Sequence, residues 1–155
     1  MLDYNAILDG LLVGTYLRDG RDIDRLHSES RITGVLNLQT DEDMEIYGLD
    51  WMRLGQHYGK RKIQVARVPI QDFDPTDLHA KLTQGVDALE ALMGRDQRVY
   101  VHCTAGVGRS PAVVIAWLAW CRGWDLPEAI AHVKSRRHCA PYVEVIRLAT
   151  LDRLG

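Results

Sequence analysis

The sequence reads as an α/β fold, a central mostly parallel sheet flanked by helices. Three observations point there. Short apolar runs recur along the chain, at Leu11–Gly14, Thr33–Leu38, Ile63–Val68 and Arg98–His102. Segments of helical period separate them, clearest in Leu78, Leu82, Val86, Leu89 and Leu92, which step by four and three residues. The last run leads into Ser110–Cys121, apolar almost all round, as expected of a helix buried at the centre of a layered fold. Strands alternating with helices favour a parallel sheet.

Taken in order, Leu11–Gly14 is expected as a short strand and Asp19–His27 as a helix with Ile23 and Leu26 facing inward. Thr33–Leu38 is expected as a buried strand. A polar turn, Gln39–Asp43, follows, then short helices about Glu42–Tyr47 and Trp51–Tyr58. Ile63–Val68 is a strand that Pro69 ends, and Pro69–Asp77 a loop. A helix over Thr76–Met93 and a strand over Arg98–His102 come next. Gly123 stops the Ser110–Cys121 helix. Asp125 reads as the cap of the following helix, with Pro127 in its first turn, and Val143–Leu154 as the last helix.

The 155 residues fit one compact domain, expected over 1–155, since domains commonly run to about 100–150 residues. Apolar residues make up 46 % and the formal charge is −2. That is enough for a core, and neither the basic footprint of a nucleic-acid binder nor an acidic tail. No run reaches the roughly 18 apolar residues of a membrane span. The opening Met1-Leu2-Asp3-Tyr4-Asn5 has neither the basic and apolar regions of a secretory signal nor the Arg/Ser richness of a transit peptide. Three cysteines without paired spacing argue against a disulfide framework and for the cytoplasm or another reducing compartment. The expected molecule is a monomer that needs no cofactor and no metal.

The chemistry concentrates in His102-Cys103-Thr104-Ala105-Gly106-Val107-Gly108-Arg109-Ser110. The preceding strand delivers Cys103 to the carboxyl edge of the sheet, where open α/β sheets bind ligands. Gly106 and Gly108 let the backbone curl with its N–H groups facing inward as an anion nest. The helix starting near Ser110 aims its positive end into the same hollow, which suits a phosphate dianion or a thiolate. Arg109 adds a planar fork that can grip two phosphate oxygens. Phosphoryl transfer asks for little beyond such positioning and charge stabilisation. Cys103 is then the nucleophile, forming a phosphocysteine that water hydrolyses. Thr104, Ala105, Gly106, Val107, Gly108 and Arg109 bind the phosphate, and Ser110 donates to the sulfur in the second step. A structural cysteine in a Gly-containing turn is the plainer alternative, but Arg109, Ser110 and the buried helix would then be coincidences. The leaving oxygen needs a proton, and the loop Pro69–Pro75 offers Asp72 and Asp74. Asp74, beside Pro75 and ahead of a helix, reads as a cap or turn residue.

His-Cys-x5-Arg-Ser resembles the signature of the protein tyrosine phosphatase superfamily, and the short chain resembles its dual-specificity branch. The resemblance implies the dual-specificity phosphatase fold, with His102 orienting the loop rather than exchanging protons and Asp72 as the general acid. Tyr4–Leu8, Asp22-Ile23-Asp24, Leu36–Glu45, Asp72–Pro75 and Cys103–Arg109 together are similar to the starch-excess-type glucan phosphatases of plants and algae, whose loop form is shared with laforin. That implies a phosphorylated starch- or glycogen-like glucan as substrate, with Tyr4, Tyr47 and Phe73 at aromatic positions of the glucan platform. Two departures stand out: Ile46 where an aromatic is expected, and Ser110 where Ala is usual. From the residues alone, Phe73 flanks the acid, while Tyr47 and Trp51 fall in a segment that would rim the cleft. Thr104 and Val107 carry no charge, whereas phosphoinositide phosphatases of the superfamily place Lys in the loop.

Two other classes stay open. One is a protein phosphatase acting on phosphotyrosine, phosphoserine or phosphothreonine. The other, a non-catalytic binder of phosphorylated ligands, is disfavoured by the presence of Cys103, Arg109 and an acid candidate. The basic run Lys134-Ser135-Arg136-Arg137-His138 reads as a solvated helix end, with contact to a phosphorylated chain as the alternative. Cys121 reads as core. Cys139 reads as structural, with a disulfide to Cys103 as the alternative.

Overall fold

The buried runs become the inner strands of one sheet. In the computed structural model, which describes residues 1–154, five strands take the order β1-β2-β5-β3-β4. They are β1 (Tyr4–Leu8), β2 (Leu11–Gly14), β3 (Gly34–Asn37), β4 (Gln64–Arg67) and β5 (Val99–His102). β2, β5, β3 and β4 run parallel, and β1 joins the edge antiparallel to β2. The mostly parallel sheet is as expected. The sequence pattern does not announce β1, because Ile7 is its one fully buried residue and an edge strand so placed shows no alternation.

Among the described residues seven helices cover both faces: α1 (Gly20–Ser30), α2 (Asp41–Ile46), α3 (Trp51–Lys60), α4 (Pro75–Leu92), α5 (Arg109–Cys121), α6 (Leu126–Arg136) and α7 (Val143–Leu154). Leu12, Val35 and Tyr100 pack with Ile23 and Leu26 of α1 and with Leu54 and Tyr58 of α3. Their neighbours Leu11, Val13, Leu36, Val99 and Val101 face the other way, against α4, α5, α6 and α7. Successive side chains point to opposite faces, and both faces are covered, so these strands read as unbroken apolar runs. α5 lies within the second layer and buries residues 109–118, which explains why it is apolar nearly all round.

Boundaries shift where caps decide them. The Asp19 side chain accepts from the Arg21 and Asp22 N–H groups, and α1 continues past His27 to a left-handed Arg31. Most of the expected polar turn after β3 is helical: Thr40 and Asp43 form a capping box that starts α2 at Asp41. Asp74 caps α4, so the loop after β4 ends at that residue. Asp125 stands at the start of α6, but its side chain makes no capping bond. No helix among the described residues is long and apolar enough to cross a membrane.

The register positions the site. Gly14 and Asn37 both lie level with His102, so the segments leaving β2, β3 and β5 meet at one edge of the sheet.

Candidate active site

Cys103 is buried at that edge, its Sγ 3.2 Å from Ser110 Oγ in the first turn of α5. His102 lies under the loop. Its Nδ1–H donates to the Cys103 carbonyl at 2.9 Å. Burial pushes its pKa down to about 4, and the Arg109 charge adds to this while the carbonyl bond opposes it. His102 is therefore neutral near pH 7, a donor that orients the loop.

The curl of the loop rests on Gly106. Its φ is +68°, and a Cβ there would lie 2.6 Å from the Gly14 carbonyl oxygen and 2.8 Å from Arg137 Nη2. Gly108 takes a φ of −113°, and a Cβ there would meet open space, so the curl does not require that glycine. The N–H groups of Ala105 to Gly108 find no backbone acceptor among the described residues, which suits them to an anion.

Arg137 corrects the reading of the basic run. It is buried, while Lys134, Ser135, Arg136 and His138 are exposed. Its Nε donates to the Gly106 carbonyl at 2.8 Å and its Nη2 to that of Ala105 at 3.1 Å. Nη1 reaches Asn5 Oδ1 at 3.0 Å, and Nη2 lies 3.4 Å from Asp3 Oδ2. The chain leaves α6 in extended conformation at Arg137, and Ala140 N–H then donates to the Val107 carbonyl at 2.8 Å. The arginine is thus turned under the loop, tying it to β1. Nothing in the sequence separates Arg137 from Arg136; only the path of the chain does.

Arg109 is held at both ends. Nη1 donates to Asp43 Oδ2 at 2.6 Å and to the Ile70 carbonyl at 2.8 Å. Nη2 lies 3.2 Å from Thr104 Oγ1 and 3.2 Å from Asp72 Oδ2. Nε is buried and has no partner among the described residues. Burial pushes the Asp43 carboxyl up, but the bonds from Arg109 and the Thr40 backbone outweigh it and leave it below the usual carboxylate range. Gln39 is also buried, and its Nε2 donates to Thr104 Oγ1 at 3.0 Å. The sequence marks Asp43 through its capping box with Thr40, and that signal speaks only of a helix start.

Asp72 and Asp74 part company. Asp74 Oδ1 accepts the Asp77 N–H at 3.0 Å as the cap of α4. Asp72 turns to Arg109, and its Oδ1 accepts the Phe73 N–H at 3.1 Å. Phe73 has a left-handed backbone, φ +56°, and is 85 % exposed. Tyr47 is half exposed at the end of α2, its ring tilted against Tyr16 with centroids 5.0 Å apart. Tyr16 is an aromatic the sequence reading passes over. Its N–H donates to the Thr104 carbonyl at 3.1 Å, so the pair borders the loop. Ile46 and Met52 are exposed on the same α2–α3 segment.

Residues 16–145 match the family described as dual specificity phosphatase, catalytic domain. The chain belongs to that family. It is 38 % identical over 156 residues to "Phosphoglucan phosphatase DSP4, amyloplastic" of Castanea sativa, with 99 % of this chain and 41 % of that protein covered. It is 34 % identical over 152 residues to "Phosphoglucan phosphatase LSF1, chloroplastic" of Arabidopsis thaliana, with 98 % and 26 % covered. The chain thus spans less than half the length of these curated relatives. Among solved structures it is similar to PTPMT1 in complex with PI(5)P, at a TM-score of 0.80 and 23 % identity over 98 % of this chain and 99 % of that one. At that identity the likeness concerns the fold alone.

Four features of this dual-specificity phosphatase lie away from the loop. Tyr4, expected on a sugar platform, packs its ring edge-on against Tyr100, donates its hydroxyl to Glu29 and accepts from Ser30. Its polar end is bonded to α1. Trp51 is half-buried and lies beneath the Arg67 guanidinium, 5.6 Å from ring centroid to Cζ. A hollow of about 500 Å³ between α1 and α3 is lined by Arg18, Asp50, Arg53 and His57, with no residue of the 102–110 loop. Of its lining, Arg18 pairs with Asp22 and Arg53 with Asp50, while His57 Nε2 lies 2.7 Å from Asp24 Oδ1. Cys121 and Cys139 are free thiols, both raised in pKa by burial.

Proposed function

We propose that this chain, acting as a single catalytic domain over residues 1–155, removes phosphate monoesters from a starch- or glycogen-like glucan through a phosphocysteine. The observation that carries the chemistry is the Arg109 fork. Its Nε is buried and unpartnered beside Nη2, Asp72 rests on the same edge, and Cys103 Sγ is 3.2 Å from Ser110 Oγ within the same loop.

The loop amides and the Nε–Nη2 edge hold the phosphoryl oxygens. Cys103 Sγ forms a bond to phosphorus as the bond to the sugar oxygen breaks, and Asp72 gives that oxygen its proton. Water then attacks phosphorus, Asp72 takes the water's proton, and the S–P bond breaks. Ser110 donates a hydrogen bond to the departing sulfur. Nucleophile, cation and acid all belong to the chain, so the reaction as written draws on no metal or cofactor. It needs the Cys103 thiol free, hence a reducing compartment, and one copy of the chain suffices.

Support for glucan is of two kinds. The relatives named as phosphoglucan phosphatases align over nearly the whole chain. Phe73 holds an exposed ring beside the acid on a backbone that costs about 1 kcal/mol or more. Such strain in a residue that packs against little is what a binding surface would retain. With the Tyr16–Tyr47 pair it offers flat faces for sugar rings.

The test compares phosphate release from amylopectin with release from phosphotyrosine and phosphothreonine peptides, with Cys103→Ser as the blank. A higher kcat/KM on amylopectin is expected. Preference for the peptides would make this a protein phosphatase, and no turnover even of an aryl phosphate would leave a phosphate binder.

A further inference from the structure

We propose that Asp43 is a positioning residue for this reaction: it fixes which edge of Arg109 meets the phosphate and leaves Asp72 free to deliver its proton. The inference rests on the reading of Cys103, Arg109 and Asp72 above.

Two carboxylates share the Arg109 guanidinium, and they are held differently. Asp43 Oδ2 lies 2.6 Å from Nη1 and also accepts the Thr40 N–H at 3.0 Å, so it is locked into the first turn of α2. Its side chain is 15 % exposed. Asp72 lies 3.2 Å from Nη2, on the loop before α4, and is 32 % exposed. Its other oxygen takes only the neighbouring Phe73 N–H.

The bonds to Asp43 and the Ile70 carbonyl occupy Nη1. What remains is the Nε–Nη2 edge, whose Nη2 meets Thr104 Oγ1 and Asp72 and whose buried Nε has no partner among the described residues. A phosphate gripping that edge competes with Asp72 and leaves Asp43 in place. Asp43 also supplies the counter-charge a buried guanidinium needs. Without it Arg109, 3 % exposed, keeps Asp72 as its one carboxylate. Asp72 would then be drawn onto the guanidinium as its counter-charge, away from the leaving oxygen that needs its proton.

The experiment uses a series of aryl phosphates from p-nitrophenyl, a good leaving group, to phenyl, a poor one, so it does not depend on the glucan assignment. Asp43→Asn keeps an amide oxygen for the Thr40 N–H but removes the charge. It is expected to lower kcat on p-nitrophenyl phosphate and weaken vanadate inhibition by about tenfold or more, the low end for a lost charge-assisted hydrogen bond. The loss should grow toward phenyl phosphate, and that growth should vanish in an Asp72→Asn background.

Thr40→Ala separates position from folding. Thr40 Oγ1 caps α2 by accepting the Asp43 N–H at 3.1 Å, so this variant weakens the cap without touching the Arg109 contact. It should lower Tm while holding kcat and vanadate inhibition within about twofold, as a cap alone is worth about 1 kcal/mol of stability. Wild-type rates in Asp43→Asn, or a Thr40→Ala variant that reproduces its losses, would overturn the inference. A loss that is flat across the series, or that still grows in the Asp72→Asn background, would overturn the part assigned to Asp72. A wild type inactive on every aryl phosphate overturns the site reading and this inference with it; an active wild type beside an unaffected Asp43→Asn overturns this inference alone.

Discussion

Arg109 and Phe73 both flank Asp72, yet Arg109 is 3 % exposed and Phe73 85 %. The floor to which Arg109 belongs is made of buried polar residues: His102, Ser110, Arg137, Gln39 and Asn37. Phe73 is exposed, as are Ile46, Tyr47 and Met52 on the α2–α3 segment, and on the function proposed above these apolar side chains serve as a rim for the substrate. Each reverses the ordinary preference of its residue type, and each reversal has its own meaning. A polar group under the surface is costly unless its bonds are met, so the floor is an interlocked set with little tolerance for change. An apolar group in water loses nothing more when it changes and gains only when a ligand covers it. On this reading the floor carries chemistry and the rim carries selectivity.

The sharpest break should come at the floor's centre. Cys103→Ser is expected to abolish turnover while leaving phosphate and vanadate binding, because the loop amides and Arg109 remain. Single-turnover assays with isothermal titration check both halves, and residual turnover in a clean preparation would remove Cys103 from its role. A second, smaller effect is expected below the loop. Arg137→Met leaves the Ala105 and Gly106 carbonyls without their donor. It should cost about 2–3 kcal/mol in urea unfolding and about tenfold in kcat on p-nitrophenyl phosphate. An unchanged kcat would mean the loop holds its curl unaided.

At the rim the pattern should invert. Phe73→Ala and Tyr47→Ala are expected to cut phosphate release from amylopectin about fivefold each, near 1 kcal/mol for a lost aromatic contact. Losses on p-nitrophenyl phosphate should be much smaller, and Tm little moved. Equal losses on both substrates would erase the distinction between floor and rim.

A further effect, on stability rather than turnover, concerns pH. His102 has its folded pKa pushed down to about 4 against an ordinary value of 6.5. Between those values the unfolded chain binds more protons, so stability rises with pH and is lost as pH falls from about 6.5 toward 4. Over the first unit, from pH 6.5 to 5.5, the loss is about 1 kcal/mol. The lowered carboxylates Asp22, Asp24 and Asp43 contribute below that window. Urea midpoints measured from pH 7 to 5 should show the slope in the wild type and a flatter line in His102→Gln. Equal slopes would place His102 in a wetter setting than the rest of the floor.

The sequence by itself determined the parallel strands, the buried helix α5 and the loop between them, because each is written in neighbouring residues. Apolar runs, periods of four and three, and the order Cys103-x5-Arg109-Ser110 are local patterns that tertiary contacts then reinforce. Asp74 as a cap was legible for the same reason, from Pro75 and the helix beyond it. β1, the burial of Arg137, the bond from Asp43 to Arg109 and the Tyr16–Tyr47 pair were decided only by the tertiary structure. For the last three the partners lie far apart in sequence: Arg137 meets Asn5 and Gly106, Asp43 meets Arg109, and Tyr16 meets Tyr47; β1 pairs with its neighbour β2 and is hidden because Ile7 is its one fully buried residue. A charged or aromatic side chain carries no local mark of where its partner will be. Tyr4, which the resemblance assigns to a sugar platform, has its ring against Tyr100 and its hydroxyl on α1, contacts that its sequence neighbours do not mark. Periodicity records which face of an element is dry; which polar group will be buried with which other is known only once the elements have packed.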